Sequence, residues 1–229
     1  LDGAERWGVT VLEATAALDA GPVWAHRSFA MRPATKSSLY RAEVADCAVA
    51  AVREALARIA DGGSPTPMTA LAGDGCWRPA VADARRRVDW TDGDASEAVR
   101  RIRSADGQPG AETVLFGAPC RVYDAHPEPS VSGLPGACLG WRDDALLVAT
   151  AEGGLWIGAV RPETAPGERG FKRAATLAFA DRLAELERIP ASRASAYRPI
   201  RYEERGPVGR LRFDFYNGAM SVVRCVRLE

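Results

Sequence analysis

The carboxylate of Asp19 lies in the run Leu18-Asp19-Ala20-Gly21-Pro22, where a side chain held beside a glycine can orient water or take a proton from an attacking nucleophile. An aspartate in such a turn also serves structure alone, by hydrogen-bonding its own backbone. The two histidines are His26, in Trp24-Ala25-His26-Arg27-Ser28, and His126, which precedes Pro127. Each reads as a surface or satisfied packed residue before it reads as a general base. Arg85-Arg86-Arg87 and Arg100-Arg101-Arg103 are the basic clusters. They read as solvated charge, because the sequence lacks the net positive charge and interleaved aromatics of a nucleic-acid surface, although one or two of these arginines suit a phosphate-bearing ligand. Asn217-Gly218, after Tyr216, signals a turn. The five cysteines, at 47, 76, 120, 138 and 225, form no C-x-x-C pair and stand near no histidine cluster. They predict reduced, mostly buried thiols, with Cys120 and Cys138 on neighbouring strands, and no metal site.

Composition limits partners without selecting one. Thirty basic and thirty acidic residues cancel to +0, and the hydrophobic content of 47% is enough for cores. No apolar stretch approaches the roughly 20 residues that span a bilayer, so cytoplasm is the expectation, with neither membrane nor nucleic acid as partner.

Several elements must position these residues. Val9, Val11, Val23, Phe29 and Met31 predict two strands joined by the turn that carries Asp19. Thr35 caps a helix in which Val44, Ala48, Val52, Leu56 and Ile59 form a stripe expected to face a core, and Asp61-Gly62-Gly63-Ser64-Pro65 stops it. A connector leads to a second unit, opened by Asp94-Ala95-Ser96-Glu97 as a capping box and a helix through Val99 and Ile102. Five short strands follow, Thr113 to Phe116, Cys120 to Tyr123, Ala137 to Trp141, Leu146 to Thr150 and Leu155 to Val160, which suggest a small barrel. A helix with an Ala175, Phe179, Leu183 and Leu186 stripe follows, then residues 191–205 without helical period. From Val208, the residues Leu211, Phe213 and Phe215 alternate with Arg210, Arg212 and Asp214, predicting a strand with one buried face and too little chain after it to build its sheet. The expectation is a central slice of a longer protein.

Gly8-Val9-Thr10-Val11-Leu12-Glu13-Ala14 followed by Leu18-Asp19-Ala20-Gly21-Pro22-Val23 resembles the G-V-T…D-x-G signature of folate-dependent formyltransferases. Arg87-Val88-Asp89-Trp90 and Gly107-Gln108-Pro109-Gly110 resemble elements that open the C-terminal domain of the same enzymes. Phe171-Lys172, Arg201-Tyr202-Glu203-Glu204 and Phe215-Tyr216-Asn217-Gly218-Ala219-Met220-Ser221 resemble the HypX/HoxX family of hydrogenase maturation factors, in which a formyltransferase module is fused to an enoyl-CoA hydratase-like (crotonase) module.

This resemblance implies an α+β architecture. Residues 1–64 would be the C-terminal part of a formyltransferase catalytic domain, 65–78 a linker, 79–165 an OB-like barrel, 166–205 a helical linker, and 206–229 the first strand of a crotonase-like domain. It implies N10-formyltetrahydrofolate and coenzyme A as cofactors, with formyl passed to coenzyme A and then released as carbon monoxide for nickel–iron hydrogenase, whose maturation proteins would be partners. Asp19 would be catalytic; Gly21, Tyr216, Asn217 and Gly218 would bind cofactor. The family's catalytic Asn and His have no match before Asp19, since the first asparagine is Asn217, so these 229 residues alone are expected to be inactive. Two other readings stand beside this one: a non-catalytic spacer and docking segment, and a formyltransferase acting on methionyl-tRNA or a nucleotide sugar.

Overall fold

Arg6–Leu12 (β1) and Val23–Ala30 (β2) form an antiparallel hairpin in the computed structural model, with Gly8 opposite Ser28, Thr10 opposite His26 and Leu12 opposite Val23. Thr66 bridges the far side of Val23 through two backbone hydrogen bonds of 2.7 and 2.8 Å. The structure describes residues 3–67, 79–164, 170–192, 195–213, 215, 220 and 222–228. The chain divides into two compact units, Leu1–Val81 and Ala82–Glu229.

In the first unit Thr35 caps Lys36–Leu39 (α1), its hydroxyl accepting from the Ser38 amide at 3.2 Å as the sequence predicts. A π-helical turn, Tyr40–Val44, leads into Ala45–Ala60 (α2). The face of α2 that meets the hairpin differs from the expected one. Ala51 and Ala55 are the buried positions, against Ala25, Val11 and Trp24, while Val52, Leu56 and Ile59 are 45%, 60% and 49% exposed. Alanines four residues apart leave a flat surface on which a strand can lie close, and this selects the buried face over side-chain hydrophobicity. Arg58, in the last turn, donates to the carbonyls of Trp24 and Ser64 and so ties the helix end to β2.

The second unit opens with a 3-10 turn, Asp83–Arg86, and Ala95–Ser104 (α3), whose Asp94 cap accepts from the Glu97 amide at 2.8 Å. Its strands are Ala111–Leu115 (β3), Ala118–Glu128 (β4), Cys138–Arg142 (β5), Ala145–Ala149 (β6), Gly154–Pro162 (β7) and the short Arg173–Ala174 (β8). Ala175–Ala178 (α4) and a 3-10 segment, Ala180–Glu185, precede Glu187–Arg188 (β9). The sheet runs β3-β4-β7-β6-β5-β9, with β8 beside β7. All five expected strands are present, and every one of these ladders is antiparallel except the β5–β9 pair. Among the described residues no ladder joins β3 to β9.

In the larger core of this unit Val99 and Ile102 from α3 meet Leu115, Val122, Leu146, Val148, Leu155, Ile157 and Val160, with Trp90, Ala175 and Phe179 at its edges; Ala145, Leu147, Trp156 and Tyr197 form a second, smaller one. Trp90 also donates its indole N–H to the Val114 carbonyl at 3.2 Å. The predicted helix through Leu186 is a helical turn followed by 3-10 structure, yet its stripe packs as expected, with Ala175 and Phe179 buried and Leu183 and Leu186 against the same core. Lys172 donates to the carbonyls of Asp106 and Gly107 at 3.1 and 2.9 Å and lies 4.2 Å from the Tyr123 ring centroid, so it pins the turn before β3.

Two expectations fail at the end of the chain. Val208–Phe213 (β11) has no buried face, all six residues being exposed; only Phe215 is buried, at 4%. Its partner lies upstream, Ile200–Arg205 (β10), in antiparallel register from Ile200–Phe213 to Arg205–Val208. Because β10 reads Ile-Arg-Tyr-Glu-Glu-Arg, its composition hides a strand that the hairpin turn alone creates. The last described element is the single-turn helix Val222–Val226 (α5). Cys120 and Cys138 lie on β4 and β5, which β7 and β6 separate, so they are not on neighbouring strands. Of the four thiols described, Cys120 is buried, Cys47 and Cys138 are half-buried and Cys225 is exposed, so the expected general burial does not hold.

Candidate functional site

The connection between β1 and β2 presents Asp19. Its backbone is left-handed, at φ 54°, a region in which aspartate is enriched among non-glycine residues. The residue is exposed, and no described residue hydrogen-bonds its carboxylate. The plain structural role, an aspartate satisfying its own turn, is therefore not the one the side chain performs. Gly21 is buried at the base of the turn, where the Glu13 amide donates to the Pro22 carbonyl at 2.9 Å. A Cβ on Gly21 would come within 1.8 Å of the Glu13 carbonyl oxygen, so glycine here allows the two ends of the connection to cross. The D-x-G spacing thus divides the labour: the glycine closes the turn and the aspartate is held out of it.

His26 is occupied elsewhere. Its Nδ1 lies 2.9 Å from the Thr10 hydroxyl, and its ring fills the space that a Cβ on Gly8 would enter at 2.7 Å. Gly8, His26 and Ser28, with Arg6 and Trp7, line an open surface depression, across which Arg6 donates to the Ser28 hydroxyl at 2.6 Å. Tyr216, Asn217 and Gly218 lie outside the described residues, so of the predicted cofactor-binding positions only Gly21 is placed.

In the basic clusters Arg86, Arg87 and Arg101 are paired with acid. Arg86 meets Asp83 at 2.7 Å, Arg101 meets Glu97 at 2.5 Å and Asp92 at 3.6 Å, and Arg87 is 4.0 Å from Glu112. Arg103 donates to the Ala125 carbonyl at 3.1 Å, and burial holds its guanidinium below the usual arginine range, with Asp124 partly opposing that shift. Burial pushes the Cys120 thiol up to about 12, which removes it as a nucleophile at neutral pH. Among the described residues no helix is long and apolar enough to cross a membrane.

One polar cluster escaped the sequence. Arg142, only 5% exposed, stacks over Trp156 at 4.3 Å from the ring centroid and donates to the carbonyls of Pro190 and Tyr197 and to the Ser195 hydroxyl. Trp156 and Ser195 both donate to Glu128, at 2.8 and 2.6 Å. Its partners stand 48 to 55 residues downstream, and no local pattern announces them.

Residues 81–169 match the family "Formyl transferase, C-terminal domain". The whole chain is 44% identical to the hydrogenase maturation factor HoxX of Bradyrhizobium diazoefficiens, of which it covers 39%. Along its whole length the chain is similar to the HypX/HoxX hydrogenase maturation factors. The crystal structure of HypX from Aquifex aeolicus in complex with tetrahydrofolic acid matches 99% of this chain and 40% of its own, with a TM-score of 0.88 and 37% identity. The methionyl-tRNA formyltransferase of Granulibacter bethesdensis is 29% identical over 77% of this chain and 53% of its own length. The chain thus spans about two fifths of its HoxX and HypX relatives.

Proposed function

We propose that this chain is part of a formyltetrahydrofolate-dependent enzyme of hydrogenase maturation, in which Asp19 serves formyl transfer. The observation that carries this reading is the Asp19 turn, with its carboxylate exposed, held in left-handed backbone and engaged by no described residue. The tetrahydrofolate complex of the Aquifex aeolicus relative supports a folate donor. The match to HoxX across all of the chain, against 77% for the Granulibacter methionyl-tRNA enzyme, favours the maturation role over tRNA formylation.

In this reading the sulfur of coenzyme A attacks the formyl carbon of N10-formyltetrahydrofolate, the carbon–N10 bond breaks, and the thiol proton ends on N10. The Asp19 carboxylate fits the step as proton acceptor or as the group that orients the nucleophile, a contribution of about 10²- to 10⁴-fold. The formyl thioester then splits at its carbon–sulfur bond, the formyl hydrogen moving to sulfur, to give carbon monoxide and free coenzyme A. Residues 79–165 would form the OB-like barrel of the formyltransferase module, and residues from 206 onward would open an enoyl-CoA hydratase-like module, with Tyr216, Asn217 and Gly218 near coenzyme A. Maturation proteins of nickel–iron hydrogenase would receive the product.

The test supplies the full-length protein with N10-formyltetrahydrofolate and coenzyme A while tetrahydrofolate release, formyl-coenzyme A and trapped carbon monoxide are followed together. All three should appear, and all should require coenzyme A. Tetrahydrofolate release that ignores coenzyme A, or that formylates methionyl-tRNA instead, would overturn the acceptor. The 229 residues alone should show no transfer.

A further inference from the structure

The connection between β5 and β6 is only two residues long, Asp143-Asp144, with Arg142 paired to Ala145 across it. Asp143 sits in left-handed backbone at φ 55°, which turns the chain tightly enough to bring three consecutive charged side chains to one corner of the sheet. Between them the three reach two parts of the chain downstream. Arg142 holds Pro190, Ser195 and Tyr197 by hydrogen bonds of 2.6 to 3.0 Å. Asp143 pairs with Arg227 at 2.9 Å, and Asp144 pairs with Arg224 at 2.9 Å and with Arg227 at 3.8 Å. The backbone contributes as well, since the Thr176 hydroxyl donates to the Asp143 carbonyl and the Thr176 amide to the Asp144 carbonyl, both at 3.2 Å.

These charges are not scattered surface pairs. The Arg224 and Arg227 side chains are 11% and 21% exposed, and those of Asp143 and Asp144 are 25% and 26% exposed. Both guanidiniums also lie against the buried ring of Phe215, at 5.1 and 5.8 Å from its centroid. Isolated exposed ion pairs contribute little, whereas partly buried networks of several charges with an aromatic partner hold a defined geometry.

We propose that the β5–β6 turn is a docking surface for the chain that follows β11: Asp143 and Asp144 capture Arg224 and Arg227 over Phe215, while Arg142 independently clasps Pro190, Ser195 and Tyr197. The β10–β11 hairpin between these attachments carries no buried residue and so needs both.

Amide hydrogen exchange on the full-length protein tests this. Reversing the acidic side with Asp143→Lys and Asp144→Lys should speed exchange at 222–228 on the order of tenfold, leaving the core amides of β4 and β7 unchanged. Adding Arg224→Asp and Arg227→Asp should restore most of the protection. Arg142→Met should raise exchange at 195–200 while sparing 222–228. Raising salt on the unsubstituted protein gives the same readout without any mutation: exchange at 222–228 should climb while the β4–β7 core stays constant. Protection at 222–228 that ignores both charge reversal and salt, or that double reversal fails to restore, would overturn the docking surface.

Discussion

The two units bury their apolar residues to very different extents. In Ala82–Glu229 helix α3 and the strands enclose a continuous core in which Ile102, Leu146 and Ile157 reach zero exposure. In Leu1–Val81 the buried cluster is three alanines, Ala25, Ala51 and Ala55, and the large apolar side chains of α2 stand exposed. Both helices carry a helical apolar period; only α3 finds cover for it among the described residues. The contrast teaches that an amphipathic stripe records a surface the sequence expects to be met, and that the unit presenting Asp19 takes its shape from backbone crossings at Gly21 and Thr66 more than from core volume.

The largest effect should come from the filled core. Ile102→Ala removes a fully buried side chain held by β-strand neighbours and should lower the stability of the second unit by about 2–5 kcal/mol, read from denaturant unfolding. A loss under about 1 kcal/mol would mean that this core is no better packed than the first unit. Gly21→Ala should cost the first unit about 1–3 kcal/mol, because the new methyl meets the Glu13 carbonyl and the backbone must shift. It should disturb the Asp19 turn without touching the second unit's transition.

Titration separates the units in another way. Burial pushes the thiols of Cys120 and Cys138 up to about 12 from an ordinary value of 9.0. Folded pKa values above the unfolded ones stabilise fully below pH 9.0, so stability of the second unit should fall as pH rises from 9.0 through about 12, where the unfolded chain has already released those protons. Among the four described thiols, a thiol-specific reagent should modify the exposed Cys225 first and the buried Cys120 last. The smallest effect belongs to α2: Leu56→Gln should change stability by no more than about 0.5 kcal/mol. A cost of core size in the full-length protein would show that the stripe is covered there.

What was legible follows from how local each signal is. The Thr35 and Asp94 caps, the hairpin around Asp19 and the five strands all rest on residues within a few positions of one another, and each appears where the pattern puts it. The α2 face was misread because hydrophobic periodicity weighs Val52 and Leu56 above the small Ala51 and Ala55 that let a strand approach. The β10 strand was missed because its partner, β11, decides its conformation. Arg142 reads as an ordinary charged end of a strand until Pro190 and Tyr197, 48 and 55 residues on, bring their carbonyls to it. The Asp19 turn was readable as a turn, while only the folded structure shows that no described residue bonds its carboxylate.

The most direct test is Asp19→Asn in the full-length protein, which keeps the left-handed turn and removes the proton acceptor. Tetrahydrofolate release from N10-formyltetrahydrofolate in the presence of coenzyme A should fall at least about a hundredfold with the fold unchanged. Release at the unsubstituted rate would contradict a role for this carboxylate in formyl transfer and leave the first unit as a spacer.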